Sequence, residues 1–312
     1  MQIRAKDFIE TKESLIFAVL VEATEDGRHL CFLRYLRSKS GLVKLSTAQA
    51  NRLLQSDHPE YLFHSIERDA DVHGVLQHKI VRHHRPMQRL REVLGSTSRD
   101  PIEKKLVSVV SLLEAKGLSL EKIGVTGSLL LGAQNSGSDI DLVIYDRDEF
   151  ENLRVIVRES IAERTLQALT EAQWQESYER RACSLTFDEY LWHERRKDNK
   201  ASFAHTKIDF SLVVADSGRE NRCWRKLKRA QITARVSDAS RAFDHPARYR
   251  VEHAEILEIA SYTPTYAGQA STGETVIACG IIEESDCGMR RLVVGSSREA
   301  PGESIQVVRS EA

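Results

Sequence analysis

Two aspartates one residue apart, Asp139 and Asp141, stand in the run Asp139-Ile140-Asp141-Leu142-Val143-Ile144. Strand alternation puts both carboxylates on one face and Ile140, Leu142 and Ile144 on the other. At ~4 Å and an effective dielectric near ~20, two such charges repel by roughly 4 kcal/mol. A pair held this way calls for a divalent cation, an arginine or a shared proton. Mg²⁺ suits an all-carboxylate site, because it takes hard oxygen ligands and keeps water or substrate phosphates in its remaining positions. Ten residues separate Asp139 from Ser128 in Thr126-Gly127-Ser128-Leu129-Leu130-Leu131-Gly132. There a strand is expected to pass into the first turn of a helix, whose unpaired N–H groups favour a phosphate. Gly127 lets the backbone come close, and the Ser128 hydroxyl is a donor to a phosphoryl oxygen. Alone, the Gly-Ser pair reads first as a plain helix start and the Asp-x-Asp as two solvated acids; at this spacing they point to one site. A third acid is offered by Lys207-Ile208-Asp209-Phe210-Ser211-Leu212. In that run Asp209 shares its face with Ser211 while Ile208, Phe210 and Leu212 turn inward.

These residues need a frame. Asp100-Pro101-Ile102-Glu103 carries a capping box with proline in the first turn, so a helix is expected from there to about Lys116. Its apolar residues Ile102, Leu106, Val109, Val110 and Leu113 recur at spacings of three and four. A strand over 123–126, a short helix from Gly127 and a strand over 139–145 follow. Helical segments are expected over 148–171 and 186–197, then a strand over 207–214 and a basic helical stretch ending near Arg235. Upstream, strand-like runs over 15–21 and 30–35, a helical stretch over 46–54 and a turn at Pro59-Glu60-Tyr61 suggest a separate small module. Downstream of Arg248, short β-type runs such as 275–278 and 291–294 are broken by glycine and proline. The expected fold class is therefore α/β (α+β). A core with a mixed sheet over 96–235 is flanked by an N-terminal α+β module over 1–95 and a C-terminal all-β domain over 236–312.

Gly127-Ser128, a spacer, Asp139-x-Asp141 and a later strand aspartate together resemble the polymerase-beta nucleotidyltransferase superfamily. Across its length, including Phe32-Leu33-Arg34-Tyr35 and the tail 298–303, the chain also looks like a group of predicted prokaryotic nucleotidyltransferases. The resemblance implies that Gly127, Ser128 and neighbouring Ser138 hold the triphosphate of an NTP or dNTP. Asp139, Asp141 and Asp209 would bind Mg²⁺ or Mn²⁺, with Asp209 also accepting the proton of the attacking hydroxyl. The long insert between Asp141 and Asp209 departs from the pattern and bears on the third acid. Cations for the leaving pyrophosphate are nearest in the run 193–200, with Arg195, Arg196 and Lys197 the expected contacts; a solvated helix face accounts for such a run equally well.

The chain has 312 residues with 45 basic and 46 acidic side chains, a net charge of -1, so a polyanion must be held by a local patch. Two basic runs, 78–85 and 222–229, interleave cations with apolar or aromatic residues, which makes RNA or DNA the expected acceptor. Nucleotidylation of a protein or small molecule, or a non-catalytic nucleotide- or RNA-binding module, are the alternatives. Five scattered cysteines without a CxxC pair argue against a disulfide framework and a structural zinc site. They read as free thiols of a cytoplasmic protein. No signal core, ~20-residue apolar span, nucleophile elbow or Walker loop is present. Base preference, template use and oligomeric state leave no mark in the sequence.

Overall fold

The computed structural model describes residues 2–214, 223–296 and 300–309. Arg222 of the second basic run, and Arg298 and Glu299 of the tail, lie outside the described residues. The protein is a mixed α+β chain whose strands fall into three sheets of seven, four and six strands among the described residues.

The chain groups into two compact units that are discontinuous in sequence. One comprises 1–64, 71–168 and 199–219; the other comprises 65–70, 169–198 and 220–312. The boundaries at 95 and 235 read from composition are thus not where contacts divide the chain. Composition marks linkers, whereas the helical insert 169–198 leaves the first unit and packs with the C-terminal strands.

In the first unit a seven-stranded sheet is built around two long antiparallel strands, Leu15–Glu25 and Arg28–Ser38. The second sheet carries the acids. It has four strands in the order Lys200–Phe203, Thr206–Leu212, Ile140–Ile144 and Ile123–Thr126. The middle pair is parallel and the outer pairings are antiparallel, so the sheet is mixed. Ile140, Leu142 and Ile144 lie opposite Ile208, Phe210 and Leu212, and all six are buried. The helix Arg147–Ala162 packs on these strands, burying Phe150, Leu153, Ile156 and Val157. The helix Pro101–Ala115 begins at the expected capping box, with the Asp100 side chain accepting from the N–H groups of Ile102 and Glu103. On the face opposite the Arg147–Ala162 helix, Gly124 meets the helix Pro86–Gly95 so closely that a Cβ there would strike Pro86 and the Met87 backbone.

The second unit holds the six-stranded sheet and the helices Glu171–Arg181 and Phe187–Arg195. Trp174, Leu185 and Tyr190 pack against Ile232, Ala234, Val236, Val276, Ala278 and Ile305. The stretch ending near Arg235, expected as a helix, is the long strand Trp224–Arg241. Its lysines, arginines and alanines have good intrinsic helix propensity, but Ile232, Ala234 and Val236 are buried with a period of two. Pairing from Trp224 to Arg235 with Thr275–Ser285 overrides the local preference. The helix expected over 148–171 ends at Ala162, Arg164 takes a left-handed φ of 64°, and Thr170 opens a new helix with a capping box to Gln173.

A buried histidine stitches this unit together. Val307 N–H donates to His193 Nε2 at 3.3 Å, while Nδ1 lies 3.1 Å from the Gln269 carbonyl, a pair of contacts that suits the neutral Nδ1–H tautomer. Burial, then the charges of Lys197 and Arg196, lower its pKa to about 4. Between the ordinary value of 6.5 and about 4 the unfolded chain binds a proton that the folded ring refuses. This contribution is therefore present above pH 6.5 and is lost as pH falls, by about 3 kcal/mol at the limit. Unfolding midpoints measured across that window are expected to fall less steeply for His193→Gln than for the wild type; equal slopes would contradict it.

Candidate active site

The four-stranded sheet sets the acids in rows. Asp141 is the register partner of Asp209 on one side and of Thr126 on the other, and Asp209 is in turn the partner of Lys200. Register partners share a face, so Lys200, Asp209, Asp141 and Thr126 form one polar row across four strands. Lys207, two residues before Asp209 on its strand, and Asp139, immediately before the strand of Asp141, begin a second row beside it. Lys207 Nζ stands 3.7 Å from Asp139 Oδ1, and Lys200 Nζ stands 3.8 Å from Asp209 Oδ1. These separations are ion-pair contacts longer than hydrogen bonds. The structure thus gathers all three sequence-predicted acids on one face, together with two lysines not anticipated as part of the site. The signal for Lys207 was present in Lys207-x-Asp209, since a residue two before the acid must share its face.

Gly127 follows directly after Thr126 with a φ of +66°, and a Cβ on it would overlap the Asp141 carboxylate. The Gly-Ser turn and the acid pair are therefore in contact, a proximity that only glycine permits here. The helix it opens, Gly127–Leu131, has five residues and ends at Gly132 in the left-handed conformation. The Thr126 hydroxyl makes no cap to this helix and instead donates to the Lys6 carbonyl at 2.9 Å. The first turn of this helix therefore lies beside Asp141 without a cap from Thr126. Ser128 is half-buried in this turn. Ser138 closes the preceding turn: its hydroxyl accepts from Asn135 N–H at 2.9 Å, and its own N–H donates to the Asn135 carbonyl. It delivers Asp139 to the strand.

Tyr35 of the first sheet is 5% exposed and packs in an apolar cluster with Phe8, Ile16 and Leu130 of the Gly127–Leu131 helix. Burial raises its phenol pKa, Arg34 opposes this, and the Asp141 carboxylate adds to it. The first sheet thus backs the Gly-Ser turn.

The cations expected for pyrophosphate belong to the second unit, and two of the three are tied into it. Arg195 is exposed at the end of its helix. Arg196 pairs with Glu274 at 2.5 Å and lies over the Trp192 ring at 4.5 Å. Lys197, with a side chain 2% exposed, donates to Glu194 at 2.5 Å and to the Thr265 carbonyl at 2.7 Å. Breaking such a buried pair costs about 3–5 kcal/mol, so a phosphate role for Lys197 runs against its burial.

Among the described residues no three His, Cys, Asp or Glu side chains stand close enough to enclose an ion as they are. By chemistry the donors still suit Mg²⁺: three carboxylates on one face, two of them on adjacent strands ~4.8 Å apart, beside the first turn of a short helix. Two lysines stand against two of these acids, Lys207 against Asp139 and Lys200 against Asp209.

Residues 107–200 match the family described as nucleotidyltransferase domain. An uncharacterised protein of Methanocaldococcus jannaschii, MJ1086, is 31% identical over 99% of this chain and 100% of its own length. The chain belongs to the polymerase-beta-type nucleotidyltransferase family. The matched part of the chain includes Gly127, Ser128, Asp139, Asp141 and the 195–197 cations, and ends before Lys207 and Asp209. No solved structure matches the chain. No described helix is long and apolar enough to cross a membrane.

Proposed function

We propose that the protein transfers a nucleoside monophosphate from an NTP or dNTP to a hydroxyl, releasing pyrophosphate, with Asp139, Asp141 and Asp209 as the catalytic acids. The observation that carries this reading is the direct register of Asp141 with Asp209, next to a turn whose glycine abuts the Asp141 carboxylate. Mg²⁺ or Mn²⁺ held by these acids would neutralise the triphosphate and lower the pKa of the attacking hydroxyl. Gly127 and Ser128 orient the β- and γ-phosphates through a backbone N–H and a hydroxyl. Asp209 takes the proton of the acceptor hydroxyl as its oxygen bonds to the α-phosphorus. The bond from that phosphorus to the bridging oxygen breaks, and pyrophosphate leaves. The rest of the contribution is positioning, which the rigid rows of a central sheet supply.

RNA or DNA is the preferred acceptor. Exposed Arg225, Lys228, Arg229 and Arg235 line one strand of the second unit, and Arg82 and Arg85 stand at the Ile80–His84 edge strand of the first. The pairing of Arg225 with Glu284 and of Arg235 with Glu252 favours the second reading, a protein or small-molecule acceptor. Incubation with each α-labelled nucleotide, Mg²⁺ and total cellular RNA separates them. Label on RNA supports the first reading, and label on protein or a small molecule selects the second. The absence of Mg²⁺-dependent transfer to any acceptor would contradict both.

A further inference from the structure

We infer that Lys207 is the resident counter-ion of Asp139, a positioning residue that holds this acid against the strand of Asp209 and is displaced by the divalent ion. The inference rests on the assignment of these acids as the metal-binding set. Lys207 is 8% exposed on the same strand face as Asp209, two residues away, with its ammonium 3.7 Å from Asp139. By register its strand neighbour on the outer side is Ser202, and Lys200 performs the same office for Asp209 from the outer strand. A lysine this buried needs a carboxylate beside it, and Asp139 supplies one, while acids sharing one sheet face are steadied by cations set against them. Three aspartates and two lysines leave the cluster with one net negative charge, enough to attract a divalent ion and too little to force the strands apart. An ion bound to Asp139 takes the lone pairs that the ammonium faces, so the two compete for the same carboxylate. The displaced ammonium, on a flexible four-carbon stem, then lies beside the position of the triphosphate, where its charge is of use.

The test is Mn²⁺ binding to the full-length protein, followed by electron spin resonance with no nucleotide present, for wild type, Lys207→Met and Lys207→Arg. Loss of the competing charge is expected to tighten the Mn²⁺ Kd about tenfold in Lys207→Met, while Lys207→Arg keeps the wild-type value. A Kd in Lys207→Met equal to or weaker than wild type, or the same in both variants, would overturn the inference. A second arm stands apart from the metal assignment. In EDTA, the unfolding temperatures of Lys207→Met, Asp139→Asn and the double variant are expected to be non-additive, the double losing less than the sum of the singles. Additive losses would overturn the pairing. Wild-type protein that binds no Mn²⁺ while the EDTA cycle is non-additive would remove the metal assignment and the displacement but leave the counter-ion role standing.

Discussion

Replacing Asp139 and Asp141 together by alanine is expected to lower Mg²⁺-dependent transfer of label from α-labelled nucleotide by about a thousandfold or more, while the far-ultraviolet dichroism spectrum stays that of the wild type. The magnitude follows from the several kcal/mol of charge stabilisation that a bound divalent ion supplies and from the tenfold loss of rate per ~1.4 kcal/mol. The fold should survive because neither side chain is part of the apolar packing: Asp141 is half-exposed between buried Ile140 and Leu142, and Asp139 precedes the strand. Lys207, deprived of Asp139, retains Asp209 two residues away on its own strand face. Full activity in the double variant would remove the acids from the chemistry.

The second large effect is expected at Gly127, where a single methyl group acts on both halves of the site. Alanine there must adopt a φ of +66°, which costs about 1–2 kcal/mol, and its Cβ overlaps the Asp141 carboxylate. Relief requires either the turn to move away from the strand or Asp141 to rotate off the shared face. Either movement misplaces the phosphate cradle relative to the acids, and misplacement by ~1 Å is worth about a hundredfold in rate. Gly127→Ala is therefore expected to reduce kcat/KM by about two orders of magnitude with an unfolding temperature lowered by only a few degrees. Gly132→Ala serves as the control: it carries a similar φ of +68°, but a Cβ there meets nothing within 4 Å. That variant should lose stability comparably while keeping its rate, and an equal loss of rate in the two variants would show that backbone strain alone is at work.

The acid rows were legible from alternation because a strand with one buried face fixes every side chain by parity. Ile140, Leu142 and Ile144 can be buried only if Asp139 and Asp141 face away, and the same logic applies to Asp209 between Ile208 and Phe210. Register was not legible: that Asp209 lies opposite Asp141, rather than one step along, depends on how the parallel strands pair across an insert of helices. The pairing of Lys207 with Asp139 escaped for the same reason, since the two are distant in sequence, although Lys207-x-Asp209 already set the lysine on the acid face. Intrinsic propensity misled at the strand Trp224–Arg241, whose exposed face is rich in lysine and arginine. The run 195–197 reads as a surface, yet Lys197 is pinned inside the second unit: its i,i+3 pair with Glu194 is visible in the sequence, but its bond to the Thr265 carbonyl, 68 residues away, is not.

The convergence of the acids is most directly measured by counting Mn²⁺ ions bound in the presence of a non-hydrolysable nucleoside triphosphate, for wild type and for Asp209→Asn. Two ions per chain are predicted for the wild type and one for the variant, because the ion nearest the attacking hydroxyl depends on position 209. An unchanged count in Asp209→Asn, or a wild type that binds none, would contradict the site described above.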